Sequence, residues 1–302
     1  MVRKSQKSRE TFIIALVLSV IIIGALILIV GEKGDITKPG IAIIPVNGVI
    51  SSSSNGASPK LINDFFNQAN KDVTIKAIIL EINSPGGTVV ASREIENIVK
   101  ESDKPVVVLM KEVAASGGYW IATPAETIIA DPATITGSIG VTSSYLQFAE
   151  LMGKYGVTYE RLVSGEYKDV GSPYKELTPK ERELLQRKID AINEMFIDAI
   201  SANRDIPREQ VRALATGEIL LGTEALDYGL VDSLGGLNEA QNAAEALLGV
   251  ESSRLVRYEK EPSLFDLFSQ ASVTNSYAIG RGIGDSWNPM NEQEDFLLMA
   301  DL

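Results

Sequence analysis

Ser116 is the residue in this sequence with the clearest potential for covalent catalysis. It lies in the run Ala-Ala-Ser-Gly-Gly-Tyr at residues 114–119, in a chain of 302 residues that contains no histidine and no cysteine. A nucleophilic serine needs a base that takes its proton, and the usual imidazole is absent here. The base must therefore be a lysine or a carboxylate, and lysine is the better candidate because burial can keep its amine uncharged. The same composition excludes Ser-His-Asp triads, thiol catalysis, disulfides and ordinary zinc sites.

The surroundings of Ser116 have two interpretations. In the first, the small side chains serve packing alone and let a helix begin close to a neighbouring strand. In the second, residues 110–119 form a strand-to-helix turn. Such a turn exposes the hydroxyl and directs the free N–H groups of the helix toward the same point. That arrangement suits a nucleophile, because negative charge develops beside it during the reaction.

A second strand-to-helix junction is Asn-Ser-Pro-Gly-Gly at residues 83–87. Gly86 and Gly87 lack a Cβ atom, so a carbonyl can approach their backbone closely. Their N–H groups could stabilise an oxyanion, and one such donor is worth about 3–4 kcal/mol in well-studied hydrolases. Taken alone, the motif fits an ordinary tight turn equally well.

Lys168 and Ser138 complete the set of candidate residues. Lys168 lies in the loop SGEYKDVGSP, residues 164–173, and Ser138 lies in TGSIG, residues 136–140. A loop lysine is usually a solvated surface residue, so Lys168 is a candidate chiefly because Ser116 needs a base. Ser138 could hold a free amine by a hydrogen bond, although by itself it is a turn serine.

Residues 11–30 form an apolar run without a charge, TFIIALVLSVIIIGALILIV. As a helix this run would span about 30 Å, the thickness of the hydrocarbon core of a bilayer. Residues 1–10 carry four basic side chains and one acidic side chain, so the positive-inside rule predicts that they are cytoplasmic. A cleaved signal peptide is the alternative. Its apolar region would be only about 7–15 residues long and followed by a small-x-small site, which residues 28–32 lack. We therefore expect an uncleaved anchor in contact with membrane lipid.

The net charge of the chain limits the kinds of molecule that it can bind. The formal net charge is −12 at pH 7, and no cluster of basic and aromatic residues offsets it. A polyanionic surface repels nucleic acid, so nucleic-acid binding is not expected. No motif indicates a cofactor or a metal ion.

Strands and helices alternate in the pattern of the sequence from residue 41 onward. Continuous apolar runs predict strands at residues 41–50, 74–83, 105–110, 127–130 and 157–163. Apolar stripes of helical period and capping signals predict helices at residues 61–69, 89–101, just after 116, 145–155, 178–203, 207–214, 223–228 and 238–248. This alternation indicates an α/β fold with parallel strands covered on both faces.

The four motifs occur in an order that closely resembles the signal peptide peptidase A (protease IV) family. They are NSPGG, AASGGYW, TGSIGV and SGEYKD followed by SP, and the resemblance covers residues 41–248. It implies a membrane-anchored Ser-Lys protease without cofactor or metal. The implied fold is a caseinolytic-protease/crotonase-like spiral of strand-strand-helix units, preceded by one transmembrane helix.

The resemblance also implies a role for each candidate residue. Ser116 is expected to be the nucleophile, Lys168 the general base and Ser138 the residue that orients the lysine. The backbone N–H of Gly87 is the expected oxyanion donor, and Gly117 is expected to help it and to contact the substrate. The chain is similar to the short, single-copy form of the family, which implies a homo-octamer with serine and lysine from adjacent protomers.

The predicted organisation follows from these observations. Residues 1–10 are expected in the cytoplasm, 11–30 in the membrane and 31–40 in a linker. Residues 41–250 are expected to form the extracytoplasmic protease domain, and 251–302 a C-terminal extension that is partly disordered.

The predicted function is a serine endopeptidase that degrades remnant signal peptides and other short or unfolded segments, with Gly86 among the residues that bind them. Two alternatives remain. A crotonase-type acyl-CoA enzyme would use the same paired glycine N–H groups for a thioester oxyanion. A membrane-anchored oligomeric scaffold would bind peptides or stabilise a membrane complex without catalysis.

Overall fold

The computed structural model describes residues 38–259. The predicted cytoplasmic segment and membrane anchor, residues 1–30, lie outside this part of the chain, as does everything from residue 260 onward. Among residues 38–259, no helix combines the length and the hydropathy needed to cross a membrane. The anchor and the domain boundaries therefore stay predictions.

Strands and helices alternate along the described residues, as the hydrophobic pattern predicts. The strands are β1 (Gly40–Asn47), β2 (Ile75–Ser84), β3 (Val106–Ala114), β4 (Thr127–Ala130), β5 (Ile135–Gly137), β6 (Ile219–Leu221), β7 (Ser233–Leu234) and β8 (Arg254–Arg257). The helices are α1 (Pro59–Lys71), α2 (Val89–Lys100), α3 (Gly117–Ala122), α4 (Ala149–Lys154), α5 (Pro179–Arg204), α6 (Arg208–Leu214), α7 (Gly222–Asp227) and α8 (Leu237–Leu248).

The three longest strands form the centre of a mixed sheet. β1, β2 and β3 pair in parallel, with Ile43 opposite Ile79 and Leu80 opposite Val108. The strand order is β6-β5-β3-β2-β1-β8, and β4 pairs with β3 and β7. Among the described strands, β5 and β6 form the antiparallel pair. Central parallel strands are buried on both faces, which explains why they read as nearly unbroken runs of Ile, Val and Leu.

Helices cover both faces of the sheet. On one face, Phe66 of α1, Trp120 of α3 and Phe196 of α5 belong to a large apolar core. On the other face, Ala240 and Ala244 of α8 pack in a second core against the same strands. Alternate residues of β1 contribute to the two cores, as the period of two in a strand requires. The predicted α/β class is thus confirmed, while the finer spiral arrangement stays an expectation of the family resemblance.

The start of α5 is fixed by the capping box that the sequence predicts. The Thr178 hydroxyl accepts a hydrogen bond from the Glu181 N–H at 3.2 Å, and the Glu181 carboxylate accepts one from the Thr178 N–H at 2.9 Å. Two orphan donors of the first turn are satisfied in this way. The helix then extends over 26 residues and carries Phe196 to the core beside α3.

The structure departs from the predicted elements between residues 141 and 178. The run 157–163, predicted as a strand, forms none, and the predicted helix 145–155 is reduced to α4. A strand needs a partner for its N–H and C=O groups, and nothing within residues 38–259 pairs with this run. The short strands β5 to β8 have no counterpart among the predictions, because two to four residues carry little periodicity.

Candidate active site

The carboxyl ends of β2 and β3 bring two of the predicted motifs together. Ser84 at the end of β2 lies opposite Ala114 at the end of β3. Since these strands are parallel, the junctions that follow them leave the same edge of the sheet. The Ala115 N–H donates a hydrogen bond to the Ser84 carbonyl at 3.1 Å, which ties the two junctions to each other.

Ser116 stands at the N-cap of α3 in a strained backbone conformation. Its φ is 53° and its ψ is −120°, a combination that residues with a Cβ rarely adopt. The Ser116 N–H donates to the Gly137 carbonyl at 2.9 Å, and its carbonyl accepts from the Trp120 N–H at 2.9 Å. Its half-buried side chain makes no hydrogen bond within residues 38–259. Strain of this kind is a feature of functional sites, where the surrounding structure holds it.

Gly86 and Gly87 fit so closely against their neighbours that a side chain has no room. A Cβ added to Gly86, whose φ is +96°, would lie 2.6 Å from the Gly117 nitrogen. A Cβ added to Gly87 would lie 1.9 Å from the Ile50 carbonyl oxygen. The Ile50 N–H donates to the Gly86 carbonyl, and the Thr88 N–H donates to the Ile50 carbonyl, both at 2.9 Å. The turn is therefore locked onto the chain that follows β1.

Two backbone N–H groups lie beside Ser116 without an acceptor in the described chain. They belong to Gly87 and Gly117, and a Cβ added to Gly117 would lie 3.2 Å from the Gly87 nitrogen. Paired donors that are already fixed and unoccupied can stabilise an oxyanion without reorganising during the reaction. The arrangement places the predicted donors next to the predicted nucleophile.

Ser138 is also brought to Ser116. It follows β5 with a positive φ of 49°, and its N–H donates to the Glu218 carbonyl at 2.7 Å. Ser116 and Ser138 line one cavity of about 440 Å³. Among the other residues lining this cavity are Asn193 and the exposed acidic residue Asp190 on α5, and Asp190 accepts a hydrogen bond from Gln186 at 2.7 Å.

A smaller cavity of about 100 Å³ also opens at Ser116. Its walls are Val89, Val141, Trp120 and Phe196, together with glycines and small polar residues. The Trp120 ring stacks on Phe196 with centroids 4.3 Å apart, and its Nε1 donates to the buried Glu96 carboxylate at 3.0 Å. Sequence reasoning missed this pocket. The signals were present, since Trp120 ends the AASGGYW motif and Phe196 lies on the apolar stripe of α5.

The packing of Phe196 gives a stability prediction. Phe196→Ala should lower the free energy of unfolding by about 3–5 kcal/mol, because it removes a fully buried ring and leaves a cavity against Trp120. Denaturant unfolding followed by tryptophan fluorescence measures this. Val73→Ala is the control, since Val73 is 80% exposed and its truncation should change stability by less than about 0.5 kcal/mol. A loss below about 1 kcal/mol for Phe196→Ala would contradict the packing of this ring between α5 and α3.

Tyr119 is unsuited to be the base, although it lies three residues from Ser116. Its hydroxyl is fully buried and donates to the Leu230 carbonyl at 3.0 Å. Burial raises the pKa of Tyr119, because a phenolate would be poorly solvated there. Within residues 38–259 no group of three or more acidic side chains is arranged to hold a metal ion.

Lys168 is the one predicted site residue that does not lie near Ser116 within a single chain. It is exposed and lines neither of the cavities that open at Ser116. It belongs to residues 141–178, a segment that exposes many large apolar side chains: Tyr145, Leu146, Leu151, Tyr155, Val157, Tyr159, Leu162 and Tyr174. A run of exposed apolar residues of this kind marks a surface for interaction.

Comparison with known proteins identifies the family of the chain. The family model for Peptidase family S49 matches residues 98–251, and the model for the NfeD1b N-terminal domain matches residues 41–150. A Methanocaldococcus jannaschii protein that carries the name of a protease is 36% identical over 219 residues, which are 71% of this chain and 69% of that protein. The Enterococcus faecium protein named as signal peptide peptidase SppA is 33% identical over 244 residues, 78% of this chain and 71% of that protein.

Protease 4 of Haemophilus influenzae is 37% identical over 224 residues, which are 72% of this chain but 36% of that longer protein. The residues matched by the S49 model contain the junction at residues 114–119 and the Ser138 turn, and the junction at residues 83–87 lies within the NfeD1b match. The chain therefore belongs to peptidase family S49 and is a protease of the signal peptide peptidase A family.

Proposed function

We propose that this peptidase uses Ser116 as its nucleophile and Lys168 of a neighbouring subunit as its general base. The proposal depends mainly on the surroundings of Ser116 within a single chain. The serine is held in a strained backbone beside two free N–H donors, and no lysine lines its cavities. A lysine base must therefore come from another chain or from a different placement of the loop of this chain, and the Asp190 carboxylate in the larger cavity is the alternative base.

The apolar segment 141–178 supports delivery of Lys168 from a neighbour. Its exposed side chains would be covered by contact with the next copy, and such a contact would bring the lysine loop with it. Head-to-tail contacts form a closed ring when the rotation between subunits closes, and the octamer that the family resemblance implies is such a ring. Contact between subunits would also exclude water from the amine and so favour its uncharged form.

The chemistry follows from these positions. The uncharged amine of Lys168 takes the proton of the Ser116 hydroxyl while Oγ attacks a peptide carbonyl. The N–H groups of Gly87 and Gly117 hold the oxyanion, and Ser138 accepts a hydrogen bond from the amine and orients it. The leaving amine receives the proton from the lysine. Water, deprotonated by the same lysine, then hydrolyses the acyl-enzyme and restores the serine.

The size and lining of the small cavity indicate which substrate side chain it can hold. Its volume of about 100 Å³ and its walls of Val89, Val141, Trp120 and Phe196 fit a small aliphatic side chain next to the scissile bond. The apolar regions of signal peptides are rich in such residues. With residues 11–30 as an anchor and the catalytic domain on the extracytoplasmic side, remnant signal peptides and unfolded segments near the membrane would be the substrates. Membership of a peptidase family favours this over the acyl-CoA and scaffold alternatives.

A labelling experiment tests the assignment of the dyad. The full chain in phospholipid vesicles is treated with a fluorophosphonate, a reagent that modifies activated serines, and with a synthetic signal peptide. We expect the label on Ser116, located by mass spectrometry of the digest, and a parallel loss of peptide cleavage. Lys168→Ala should label at least about a hundredfold more slowly, while Lys71→Ala, at an exposed lysine near the end of α1, should label at the wild-type rate.

Two results would contradict the proposal. Cleavage that persists after Ser116 is fully modified would exclude this serine as the nucleophile. Slow labelling in Asp190→Asn together with normal labelling in Lys168→Ala would make the carboxylate on α5 the base.

A further inference from the structure

Lys168 lies in a loop, and a catalytic base in a loop needs to be held in place. Loops on a protein surface are usually its more mobile parts, whereas catalytic groups must be held within about 0.5 Å of the productive geometry. The loop at residues 164–173 contains three consecutive turn hydrogen bonds, which the N–H groups of Lys168, Val170 and Ser172 donate to carbonyls three residues earlier. These turns fix the shape of the loop, but they do not fix its position relative to the rest of the protein.

Asp169, the residue after Lys168, ties the loop to the chain before it. Its side chain is only 10% exposed, and both carboxylate oxygens accept hydrogen bonds from Arg161, at 2.6 Å from Nε and 2.9 Å from Nη2. The same Nη2 also donates to the Glu166 carbonyl at 2.9 Å. A bidentate guanidinium–carboxylate pair restricts orientation as well as distance, which a single contact does not.

Lys175 ties the same carboxylate to the long helix α5. Its Nζ lies 3.5 Å from Asp169 Oδ1 and is also hydrogen-bonded to the Glu181 carboxylate. Glu181 is the buried acidic member of the capping box with Thr178. A continuous set of ion pairs and charge-assisted hydrogen bonds therefore runs from the residue beside Lys168 to the first turn of the helix that lines the Ser116 cavities.

Geometry distinguishes this cluster from ordinary surface ion pairs. Isolated exposed pairs contribute little, because two long side chains must be ordered in water for one contact. Here one nearly buried carboxylate is contacted by both Arg161 and Lys175 of its own chain. These contacts hold the loop from within the subunit that carries Lys168.

The charge of Asp169 persists far into the acid range. The hydrogen bonds from Arg161 lower the pKa of this carboxyl from 3.8 to about 2. Because the folded value lies below the unfolded value, the contribution of the pair is fully present above pH 3.8 and is lost as the pH falls through about 2. Loss of activity near pH 5 would therefore come from another group.

We propose that Arg161, Asp169 and Lys175 form a positioning cluster that presents Lys168 in a fixed orientation to the active site of the adjacent subunit. These residues touch neither substrate nor the reacting atoms, and they act through the loop. The inference rests on the proposed role of Lys168 as the base. It adds that the geometry of the dyad is set within the subunit that donates the lysine.

The test uses Asp169→Asn in the assembled full-length protein, with kcat and KM measured on a fluorogenic peptide. The amide keeps the shape of the side chain but cannot accept both donors of Arg161. Since a displacement of about 1 Å costs on the order of a hundredfold in rate, kcat should fall ten- to a hundredfold while KM changes less than about twofold. Arg161→Lys keeps the positive charge but loses the two-pronged guanidinium, so its kcat should lie between those of the wild type and Asp169→Asn.

Rescue and a matched control separate positioning from simple structural support. The double reversal Arg161→Asp with Asp169→Arg restores a bidentate pair. On a logarithmic scale, it should recover at least a third of the decrease in kcat that Asp169→Asn causes. Asp198→Asn removes an arginine–carboxylate pair of the ordinary exposed kind, in which Arg208 Nε lies 2.5 Å from Asp198 Oδ1 and the carboxylate is 57% exposed. Its kcat should remain within about twofold of wild type.

The outcomes also separate this inference from the proposed function. Wild-type kcat in Asp169→Asn, with Lys168→Ala inactive, overturns the positioning cluster and leaves the dyad in place. An active Lys168→Ala overturns the dyad whatever Asp169→Asn does. If Asp169→Asn merely lowers the fraction of assembled protein, and kcat per assembled site is unchanged, the cluster is structural and the inference is wrong.

Discussion

Mixed oligomers of Ser116→Ala and Lys168→Ala subunits are expected to cleave peptide, although each variant alone is inactive. If every site takes its serine from one subunit and its lysine from the next, an intact pair forms wherever a Lys168→Ala subunit supplies the serine and a Ser116→Ala subunit supplies the lysine. With equal amounts of the two subunits and random order in a closed ring, this occurs at about a quarter of the contacts. The gain over either variant alone should exceed about a thousandfold, the range lost when a member of a catalytic dyad or triad is removed.

The experiment requires that the two variants assemble together. They are coexpressed with different affinity tags, and the mixed oligomers are isolated by two successive purifications. Oligomers of each variant that are mixed only after assembly are the control, and they should stay inactive as long as subunits do not exchange. Active-site titration with a fluorophosphonate then counts the restored sites, so the recovered activity can be expressed per functional serine.

A mixture without activity would contradict the proposal directly. It would mean that serine and lysine come from the same chain, and that the loop at residues 164–173 must move to reach the cavity at Ser116.

The sequence predicted the part of the site that depends on local geometry. The junctions at residues 83–87 and 114–119 are short motifs at strand ends, and parallel pairing of β2 and β3 is sufficient to bring them together. The same holds for the buried strands and the capped start of α5. In these elements, backbone preference and hydrophobic pattern agree, so a single chain specifies them.

What the sequence did not predict depends on contacts between elements distant along the chain or on the conformation of an irregular segment. The small cavity needs α5 to cross α3 and place Phe196 on Trp120, which no spacing along the chain encodes. The hydrogen bonds from Arg161 to Asp169 join residues of a segment without regular secondary structure. The run 157–163 has the composition of a strand but finds no partner among the described residues of its own chain.

Gly87→Ala is expected to reduce kcat by about 10²–10³-fold with little change in KM, the loss typical of removing one oxyanion donor. The added methyl would lie 1.9 Å from the Ile50 carbonyl oxygen and 2.7 Å from both the Ile50 carbonyl carbon and nitrogen. These are backbone atoms that cannot turn aside as a side chain could. The turn must therefore move away from Ile50, and the Gly87 N–H moves with it.

The control for this variant is Gly236→Ala. Gly236 is the N-cap of α8 with an extended φ of −122°, and an added Cβ would meet its nearest atom, the Glu239 carboxylate, at an ordinary 3.7 Å. Its kcat should remain within about twofold of wild type, because neither cavity at Ser116 includes it.

Thermal unfolding decides how the result with Gly87→Ala is interpreted. Opening the bridge between Ile50 and Gly87 costs stability, so the melting temperature should fall in this variant as well. A donor role requires that kcat per assembled, folded site falls even at temperatures where the variant is fully native. If the melting temperature falls but kcat of the folded enzyme stays at the wild-type value, the Gly87 N–H does not hold the oxyanion. The Gly117 N–H at the start of α3 would then be the donor that remains beside Ser116.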